Sequence, residues 1–494
     1  MKKLRIFDLL SSIEPIELKR FRKYIKSDSV YVSRDYTPLV EHLLVYYPEF
    51  SDKELSLEGM YDSLYPGMKF NNRVIISRLS ELNKMTENFL LSLKLNKDSG
   101  LRNKLLAEVL MERKAYDHFD NLIAKLIDEE ENVKKISERQ LYDLDKILML
   151  KGQCLLDREK FVETHGLLEK NIEIFLIYII TRLLTMYCGI KNIENFQIAG
   201  TSLVQLEAYM KNIDLEGLVH SLGHNKLSAY MKVMVVIYKL YDNKTNDPLY
   251  FEAKKNLLEN IDSFEQISKF TVFSFLYSYT VQQINMRRTE FNAEIYDLLK
   301  HIIKYNAYMK AGHESMPSML YREFIITALK HDDIKGAERF IAEYTATLAP
   351  ENRKTLEDYS LGKIKMHLKD FSGALLCYEK CPRNIQILNL DMRIDRMVSL
   401  YELGYLDKFT GEIRKNRTLL KNNTHITVFQ QSSFKTYNDI MERLLELKLN
   451  PDENTKAKLL EDVKETEILH YKEWILKQAG LINGKAHSKQ PERL

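Results

Sequence analysis

The sequence predicts an all-α fold built from stacked pairs of helices, and three observations lead to this prediction. Glycine and proline are scarce, with 17 and 10 of 494 residues, roughly half of their usual shares of ~7% and ~5%. Apolar residues recur at the helical period of about 3.6 and do not alternate as they would in strands. Finally, a polar pair followed by a small or aromatic residue recurs in the segments 332–344, 369–381 and 404–416.

Composition indicates a folded, soluble protein. Charged residues make up 29% of the chain and hydrophobic residues 45%, which does not fit a disordered protein. The net charge of +3 is too small to indicate or exclude a nucleic-acid partner. Four scattered cysteines are too few for a disulfide framework and favour a reducing compartment.

No membrane or export segment is expected. Arg5 and Asp8 interrupt the apolar stretch of the amino-terminal segment, so this segment is unlike a signal peptide. The most apolar run covers residues 172–190, where Arg182 would lie at mid-membrane at a cost of ~2.5–3.5 kcal/mol. We therefore expect a buried solenoid helix at this position and a cytoplasmic protein.

Helix starts are marked along the chain by capping residues and prolines. Thr37 is predicted to be an N-cap, and the proline that follows it is favourable at the first helical position. Ser137 and Gln140 fit a reciprocal capping box, and Asp247 precedes another proline that opens a helix. Between these starts, the apolar spacing from Ile75 onward is that of one helix face.

The recurring segments define a repeat. Their anchor residues Ala337, Ala374 and Phe409 are 37 and 35 residues apart, close to the period of about 34 of the tetratricopeptide helix–turn–helix unit. A helix pair that cannot bury its apolar face alone must stack on its neighbours. The spacing therefore predicts a continuous solenoid.

The middle copy resembles the tetratricopeptide family in its sequence motif. It contains Leu361, Gly362, Phe371, Ala374, Tyr378 and Pro382 in the family's order. Asp358 and Lys365 depart from the family's Trp and Tyr, and Phe409 replaces a small residue in the third copy. The resemblance implies a right-handed α-solenoid of antiparallel helix pairs, with close helix contact at the small residues.

The chain divides into a small amino-terminal helical module and the repeats. The polar segment 96–100 follows a long helix and is expected to be a hinge. The whole layout resembles a group of uncharacterised bacterial helical-repeat proteins, a resemblance that implies no activity. The predicted regions are the module (1–95), a degenerate repeat array (101–315), tetratricopeptide-like repeats (316–421), capping helices (422–482) and a disordered tail (483–494).

Two groups of residues have the spacing of metal ligands. Glu216, His220 and His224 lie at i, i+4 and i+8, and two imidazoles with a carboxylate are able to hold a divalent ion. Glycines in this segment weaken the helix, and ordinary histidines are the expected alternative. Cys377 and Cys381, one turn apart, are expected to be buried small hydrophobic residues. No metal or cofactor is predicted.

The amino-terminal module contains the features of a possible nucleic-acid site. Polar residues at the start of a second helix are able to reach base edges. However, residues 1–100 contain 16 basic and 14 acidic residues, which gives no strong electrostatic footprint, and a solvated face is the expected alternative. The residues concerned are Lys19, Arg20, Arg22, Lys23, Lys26, Asn71, Asn72, Arg73 and Arg78.

A non-enzymatic scaffold that binds a protein or peptide is the predicted function, since no catalytic motif is present. The alternative is a nucleic-acid-binding regulator whose repeats sense a ligand. Trp474 is expected in an end helix that seals the last repeat. The first helices of tetratricopeptide repeats line a concave surface, where the residues expected to face an acidic peptide are Arg322, Lys330, Tyr359, Lys363, His367 and Tyr401. An ordinary solvated face is the alternative, because the same surface also contains Asp391 and Glu402.

Overall fold

The computed structural model describes residues 4–482 except 28–33, 51–54, 134, 195–203, 222–225, 243–245, 310–314, 382–384, 423–427 and 467–468. In these residues the chain forms 24 α-helices and no β-strand, which confirms the all-α prediction. Two isolated parallel bridges, at Ile136 with Phe264 and at Met316 with Leu348, are the β-type pairings of this part. The tail predicted to be disordered lies outside the described residues.

The first of two compact units comprises residues 1–134 and 139–178. One apolar core, which includes Phe21, Met60 and Phe89, lies among its first five helices. A second core, around Phe119 and Ile147, lies farther along the chain. The helices of this part are α1 (Arg5–Ser11), α2 (Leu18–Ile25), α3 (Thr37–Leu44), α4 (Leu57–Leu64), α5 (Asn72–Lys97), α6 (Ser99–Glu112), α7 (Tyr116–Glu131), α8 (Glu138–Asp157) and the first part of α9 (Phe161–Glu194).

The second unit comprises residues 135–138 and 179–494. After the end of α9 it contains α10 (Val204–Lys211), α11 (Leu215–Ser221), α12 (Lys226–Asp242), α13 (Asp247–Glu259), α14 (Gln266–Asn285), α15 (Phe291–Lys304), α16 (Ser318–Lys330), α17 (Ile334–Tyr344), α18 (Pro350–His367), α19 (Phe371–Lys380), α20 (Gln386–Glu402), α21 (Leu406–Asn422), α22 (Val428–Leu449), α23 (Glu453–Glu465) and α24 (Lys472–Leu481).

Helix starts follow the capping residues and prolines of the sequence. Helices α3, α8 and α13 begin at Thr37, Glu138 and Asp247. Thr37 is the first helical residue and not the N-cap, which is Tyr36. The backbone N–H of Thr37 donates to the carboxylate of Asp35 at 2.8 Å, so an aspartate supplies the acceptor expected from the threonine.

A recurring turn accounts for the polar pair that repeats in the sequence. Asp332, Lys369 and Gly404 have positive φ angles of 55°, 61° and 72°. In each case the next residue donates its N–H to a carbonyl five residues back, as Asp370 does to Lys365 at 2.9 Å, which is a Schellman ending. The first residue of the pair thus ends one helix, and the second begins the next.

The second residue of the pair caps the following helix where it is an aspartate. Asp333 accepts the N–H of Gly336 at 2.8 Å, and Asp370 accepts that of Gly373 at 2.9 Å. The same turn occurs in the first unit at Lys114 and Glu159, with φ angles of 55° and 56°. The repeated pattern is therefore a repeated helix–helix junction.

Consecutive helices of the second unit pack in an alternating order. Helix α16 contacts α17 and α18, α18 contacts α19 and α20, and α22 contacts α23 and α24. The anchors Ala337, Ala374 and Phe409 are completely buried. Gly362 allows α18 and α19 to approach closely, because a Cβ atom there would lie 2.3 Å from the ring of Tyr378.

The predicted hinge at 96–100 is reduced to one residue. Helix α5 extends to Lys97 and α6 begins at Ser99. Asp98 between them accepts the N–H of Leu101 at 3.0 Å and pairs with Lys94 at 3.1 Å. The first compact unit extends across this joint, so the polar composition of the segment reflects helix capping.

Candidate functional site

Three of the six predicted partner-binding residues, Arg322, Tyr359 and Lys363, belong to a buried network of charges in the second unit. The guanidinium of Arg322 on α16 donates to both carboxylate oxygens of Asp391 on α20, at 2.5 and 3.0 Å. The hydroxyl of Tyr359 on α18 donates to the same carboxylate at 2.7 Å. Asp391 therefore connects three helices that begin 32 or more residues apart in the chain.

One turn along α20, Asp395 is the second acceptor of this network. It pairs with Lys363 at 2.8 Å and accepts the hydroxyls of Tyr378 at 2.5 Å and Tyr471 at 2.7 Å. Its side chain is completely buried. We call these seven residues, Arg322, Tyr359, Lys363, Tyr378, Asp391, Asp395 and Tyr471, the buried charge cluster.

The electrostatics of the buried charge cluster are balanced. Burial alone would raise the pKa of Asp391, but the charges of Lys363 and Arg322 outweigh it and lower the pKa below its ordinary value. Burial and the carboxylate charges raise the pKa of Tyr359 and Tyr378. Two cations thus face two carboxylates, each hydrogen-bonded, an arrangement suited to holding helices together.

The predicted exposure of the six partner-binding residues is wrong for the two tyrosines. Tyr359 is completely buried and Tyr401 is 2% exposed. The side chains of Lys363 and Arg322 are only 16% and 13% exposed. They pair with Asp395 and Asp391 on α20 and therefore do not face an open groove. A role of these residues in partner binding remains a prediction.

The other two predicted residues are more accessible. Lys330 is exposed at the end of α16. His367 pairs through Nε2 with Asp332 at 2.8 Å and is 28% exposed. Because Asp332 is the positive-φ residue of the preceding junction, this pair connects two successive repeats.

Helix α24 adds an aromatic contact to α20. Trp474 donates its indole N–H to Glu402 at 2.6 Å, and Gln478 donates to the same carboxylate at 2.9 Å. The rings of Trp474 and Tyr401 meet edge to face, 5.3 Å apart. Side chains of α24, the last helix in the described part of the chain, therefore occupy part of the face that was predicted to bind a peptide.

The residues predicted as a metal site are only partly described. Glu216 lies on α11 and pairs with Lys239, while His220 is exposed on the same helix. His224 lies outside the described residues. Among the residues that are described, no group of three His, Cys, Asp or Glu side chains is placed to hold a metal ion.

The two neighbouring cysteines are buried or half-buried. The thiol of Cys381 donates to the carbonyl oxygens of Cys377 at 3.5 Å and Thr355 at 3.6 Å. Burial raises the pKa of Cys381 to about 12 and also raises that of Cys377. Both thiols are thus protonated at neutral pH and are poor metal ligands or nucleophiles.

The basic residues of the amino-terminal module are partly engaged within the module. Arg22 pairs with Glu41 at 2.9 Å, and Arg78 pairs with Glu81 at 2.7 Å. Asn71 is the N-cap of α5 and accepts the N–H of Val74 at 3.3 Å. A further set of these residues is exposed: Lys19, Arg20, Lys23, Lys26, Asn72 and Arg73. A nucleic-acid role for the module remains a prediction.

The most distinctive surface is one that the sequence prediction placed in the interior. Five Phe, Leu or Ile side chains in the first part of α9 are 40–65% exposed. They lie on one side of the helix, whereas Ile174 and Ile177 on the other side are 3% and 0% exposed. We call this surface the α9 face: Phe161, Leu168, Ile172, Phe175 and Leu176.

The expected burial of the run at 172–190 is therefore wrong for Ile172, Phe175 and Leu176. The apolar run at 172–190 continues around the helix, so its composition gives no sign of which side is covered. The seven-residue spacing of Phe161, Leu168 and Phe175 is the signal that was available for a single apolar stripe. Helix α9 is also long and apolar enough to cross a membrane, and 39% of its most apolar window is buried.

The area of the α9 face is large for an exposed apolar patch. At about 200 Å² for each large side chain, the five expose on the order of 500 Å², near the upper end of the largest patch on a typical monomer. Exposed carboxylates of Glu169 and Glu173 follow it on one flank of α9, and the nearby Lys170 pairs with Glu131. This flank is therefore mainly acidic.

Comparison with known proteins gives no further guide to these surfaces. No protein-family model, curated protein or solved structure matches the chain. The resemblance to tetratricopeptide repeats thus depends on the sequence motif, and the repeated junction and the packing order of the helices are compatible with it.

Proposed function

We propose that the protein is a non-enzymatic scaffold that binds a partner protein or peptide through the α9 face. The observation that carries this proposal is the exposure of Phe161, Leu168, Ile172, Phe175 and Leu176 along one side of a helix. Such a stripe, left in water, forfeits the free energy of apolar burial, about 25 cal/mol per Å². A partner that covers it recovers this free energy.

The partner segment is an amphipathic helix with basic residues beside its apolar stripe. Apolar residues three and four positions apart are the anchors with which one helix docks on another. The acidic flank at Glu169 and Glu173 favours lysine or arginine beside the apolar stripe of the partner. Large apolar and aromatic side chains at the centre supply most of the binding free energy.

The proposed architecture is a cytoplasmic, right-handed solenoid of antiparallel helix pairs, of the tetratricopeptide type and of bacterial origin. It is supported by the junction that recurs at Lys114, Glu159, Asp332, Lys369 and Gly404. The alternating helix contacts of the second unit also support it. Each junction returns the chain beside the helix that it has just completed, which is the elementary step of a solenoid.

Binding of a synthetic helix tests this proposal directly. The probe is a fluorescent 18-residue helix with leucine on one side and lysine at the flanks, and anisotropy measures its affinity. Phe175→Gln is expected to weaken binding about tenfold, because a central aromatic anchor is lost. Leu376→Gln, at a residue that is 61% exposed on α19, is the matched control and is expected to leave the affinity unchanged.

Photo-crosslinking in the cells that make the protein identifies the natural partner. A benzophenone amino acid at position 172 is expected to form an adduct with a basic amphipathic segment, and the same group at position 376 is not.

Equal binding of the synthetic helix by Phe175→Gln and Leu376→Gln would overturn the proposal. Flotation with phospholipid vesicles that depends on Phe175 would assign the α9 face to a membrane. Salt-sensitive binding of DNA that requires residues 1–95 would favour the nucleic-acid alternative.

A further inference from the structure

The second unit contains a cavity, and none of the residues that line it belongs to the α9 face. It has a volume of about 460 Å³ and lies among α14, α15 and α16. Most of its lining is aromatic or aliphatic and includes Phe273, Tyr277, Tyr308 and Met319. This volume lies within the range of 300–1,000 Å³ that is usual for sites that bind small molecules.

Glu323 is the charged residue among those that line the cavity. Its carboxylate pairs with Arg322, but Arg322 is already matched by two hydrogen bonds to Asp391. The three residues together carry one negative charge in excess. Because the side chain of Glu323 is 32% exposed, its carboxylate retains free acceptor positions toward a ligand.

Tyr277 adds a second polar group at the same cavity. It lines the cavity together with Glu323 and lies close enough to interact with the charges of Glu323 and Arg322. Burial, together with the charge of Glu323, raises the pKa of Tyr277, so the phenol stays neutral. A neutral aromatic ring beside a carboxylate is the combination that recognises organic cations, through cation–π attraction and ion pairing.

We propose that this cavity binds an amphipathic organic cation, an amine or quaternary ammonium group with an apolar body. Its cationic group pairs with Glu323 beside the ring of Tyr277, and its apolar body lies against Phe273, Tyr308 and Met319. This proposal does not depend on the protein-binding function of the α9 face.

Three probes that share one carbon skeleton test the charge requirement. They are 4-phenylbutylamine, 4-phenylbutan-1-ol and 4-phenylbutyrate, titrated into the full-length protein by calorimetry. The amine is expected to bind at least tenfold more tightly than the alcohol, and the carboxylate is expected not to bind. Glu323→Gln is expected to remove the preference for the amine, while Glu338→Gln, at an exposed carboxylate on α17, is expected to preserve it.

A second variant tests the location of the site and does not disturb Glu323. Met319 is 46% exposed at the cavity, and Met319→Trp is expected to narrow the opening and weaken amine binding about tenfold with an unchanged circular dichroism spectrum. Equal affinity for the amine and the alcohol would overturn the proposal. The absence of amine binding at millimolar concentration would also overturn it. So would a photo-crosslink from a benzophenone amino acid at position 319 to a basic side chain of another protein, because the cavity would then bind a protein and not a small cation.

Discussion

Asp391 is the common acceptor of Arg322 and Tyr359 in the buried charge cluster. Removing its charge leaves the bidentate contact of Arg322 and the hydroxyl of Tyr359 without their common acceptor. Loss of one partner of a buried ion pair typically costs about 3–5 kcal/mol. We expect Asp391→Asn to lower the free energy of unfolding by about 3 kcal/mol at pH 7, measured by urea denaturation.

The pH dependence of the same variant has a definite sign. The pKa of Asp391 is lowered from its ordinary value of 3.8, so its contribution is complete above about pH 4 and is lost as the pH falls below that value. The difference between wild type and Asp391→Asn should therefore shrink below pH 4. Glu338→Gln is the control for a general charge effect, and identical urea midpoints at pH 7 would contradict the prediction.

Lys369 occupies a backbone conformation that glycine would adopt at lower cost. Its φ is 61°, in the left-handed region that costs an L-residue about 1–2 kcal/mol, and its side chain is exposed. We expect Lys369→Gly to raise the free energy of unfolding by about 0.5–1 kcal/mol. Gly404→Ala, where φ is 72°, should lower it by a similar amount. Urea denaturation measures both effects. A loss of stability in Lys369→Gly, or a gain in Gly404→Ala, would show that other contacts determine the stability of these turns.

At the scale of the helix pair, the contact between α18 and α19 is set by a single glycine. An alanine Cβ at position 362 would lie 2.3 Å from the ring of Tyr378. That ring is held by its hydrogen bond to Asp395 at 2.5 Å, so it is not free to move aside. We expect Gly362→Ala to lower the free energy of unfolding by about 2 kcal/mol through overpacking.

A second helical glycine is the matched control for this change. A Cβ at Gly411 on α21 meets no atom within 4 Å. Gly411→Ala should therefore stabilise the protein by about 0.5–1 kcal/mol, since alanine loses less backbone entropy in a helix. Urea denaturation of both variants distinguishes packing from helix propensity, and equal effects at the two positions would contradict the role of Tyr378.

Element by element, the sequence was informative where the decisive residues are neighbours in the chain. The starts of α3, α8 and α13 depend on adjacent capping residues and prolines, and these starts were predictable. The buried charge cluster was not, because Arg322 and Asp391 are 69 residues apart. A basic residue on the first helix of a repeat has the same local pattern whether or not a carboxylate from a later repeat neutralises it.

For the whole molecule, periodicity predicted the helical class but not which helix sides are covered. Helix α9 is apolar around much of its circumference, so Ile172 and Ile174 are equivalent in composition. The structure exposes 58% of the first and 3% of the second. That difference depends on which other helices pack on α9, and local sequence does not determine it. The α9 face could therefore be identified only from the three-dimensional packing of the helices.

The division of the chain can be tested at the joint between α5 and α6. A polar hinge at 96–100 would make Lys97 the first site of tryptic cleavage. The structure instead continues the backbone hydrogen bonds through this joint, with Asp98 N–H donating to Lys94 and Arg102 N–H donating to Asp98. We expect wild-type protein to resist cleavage at Lys97. Loss of a cap costs about 1 kcal/mol, so Asp98→Ala should be cut about fivefold faster there.

Mass spectrometry of the fragments at short digestion times measures this rate. Asn96→Ala removes a neighbouring exposed polar side chain without removing the cap, and its digestion should match that of wild type. Preferential cleavage of wild type at Lys97 would show that the joint opens as a hinge and that the amino-terminal module ends near residue 95. Resistance that is lost in Asp98→Ala alone would show that the cap at Asp98 joins α5 and α6 into one continuous unit.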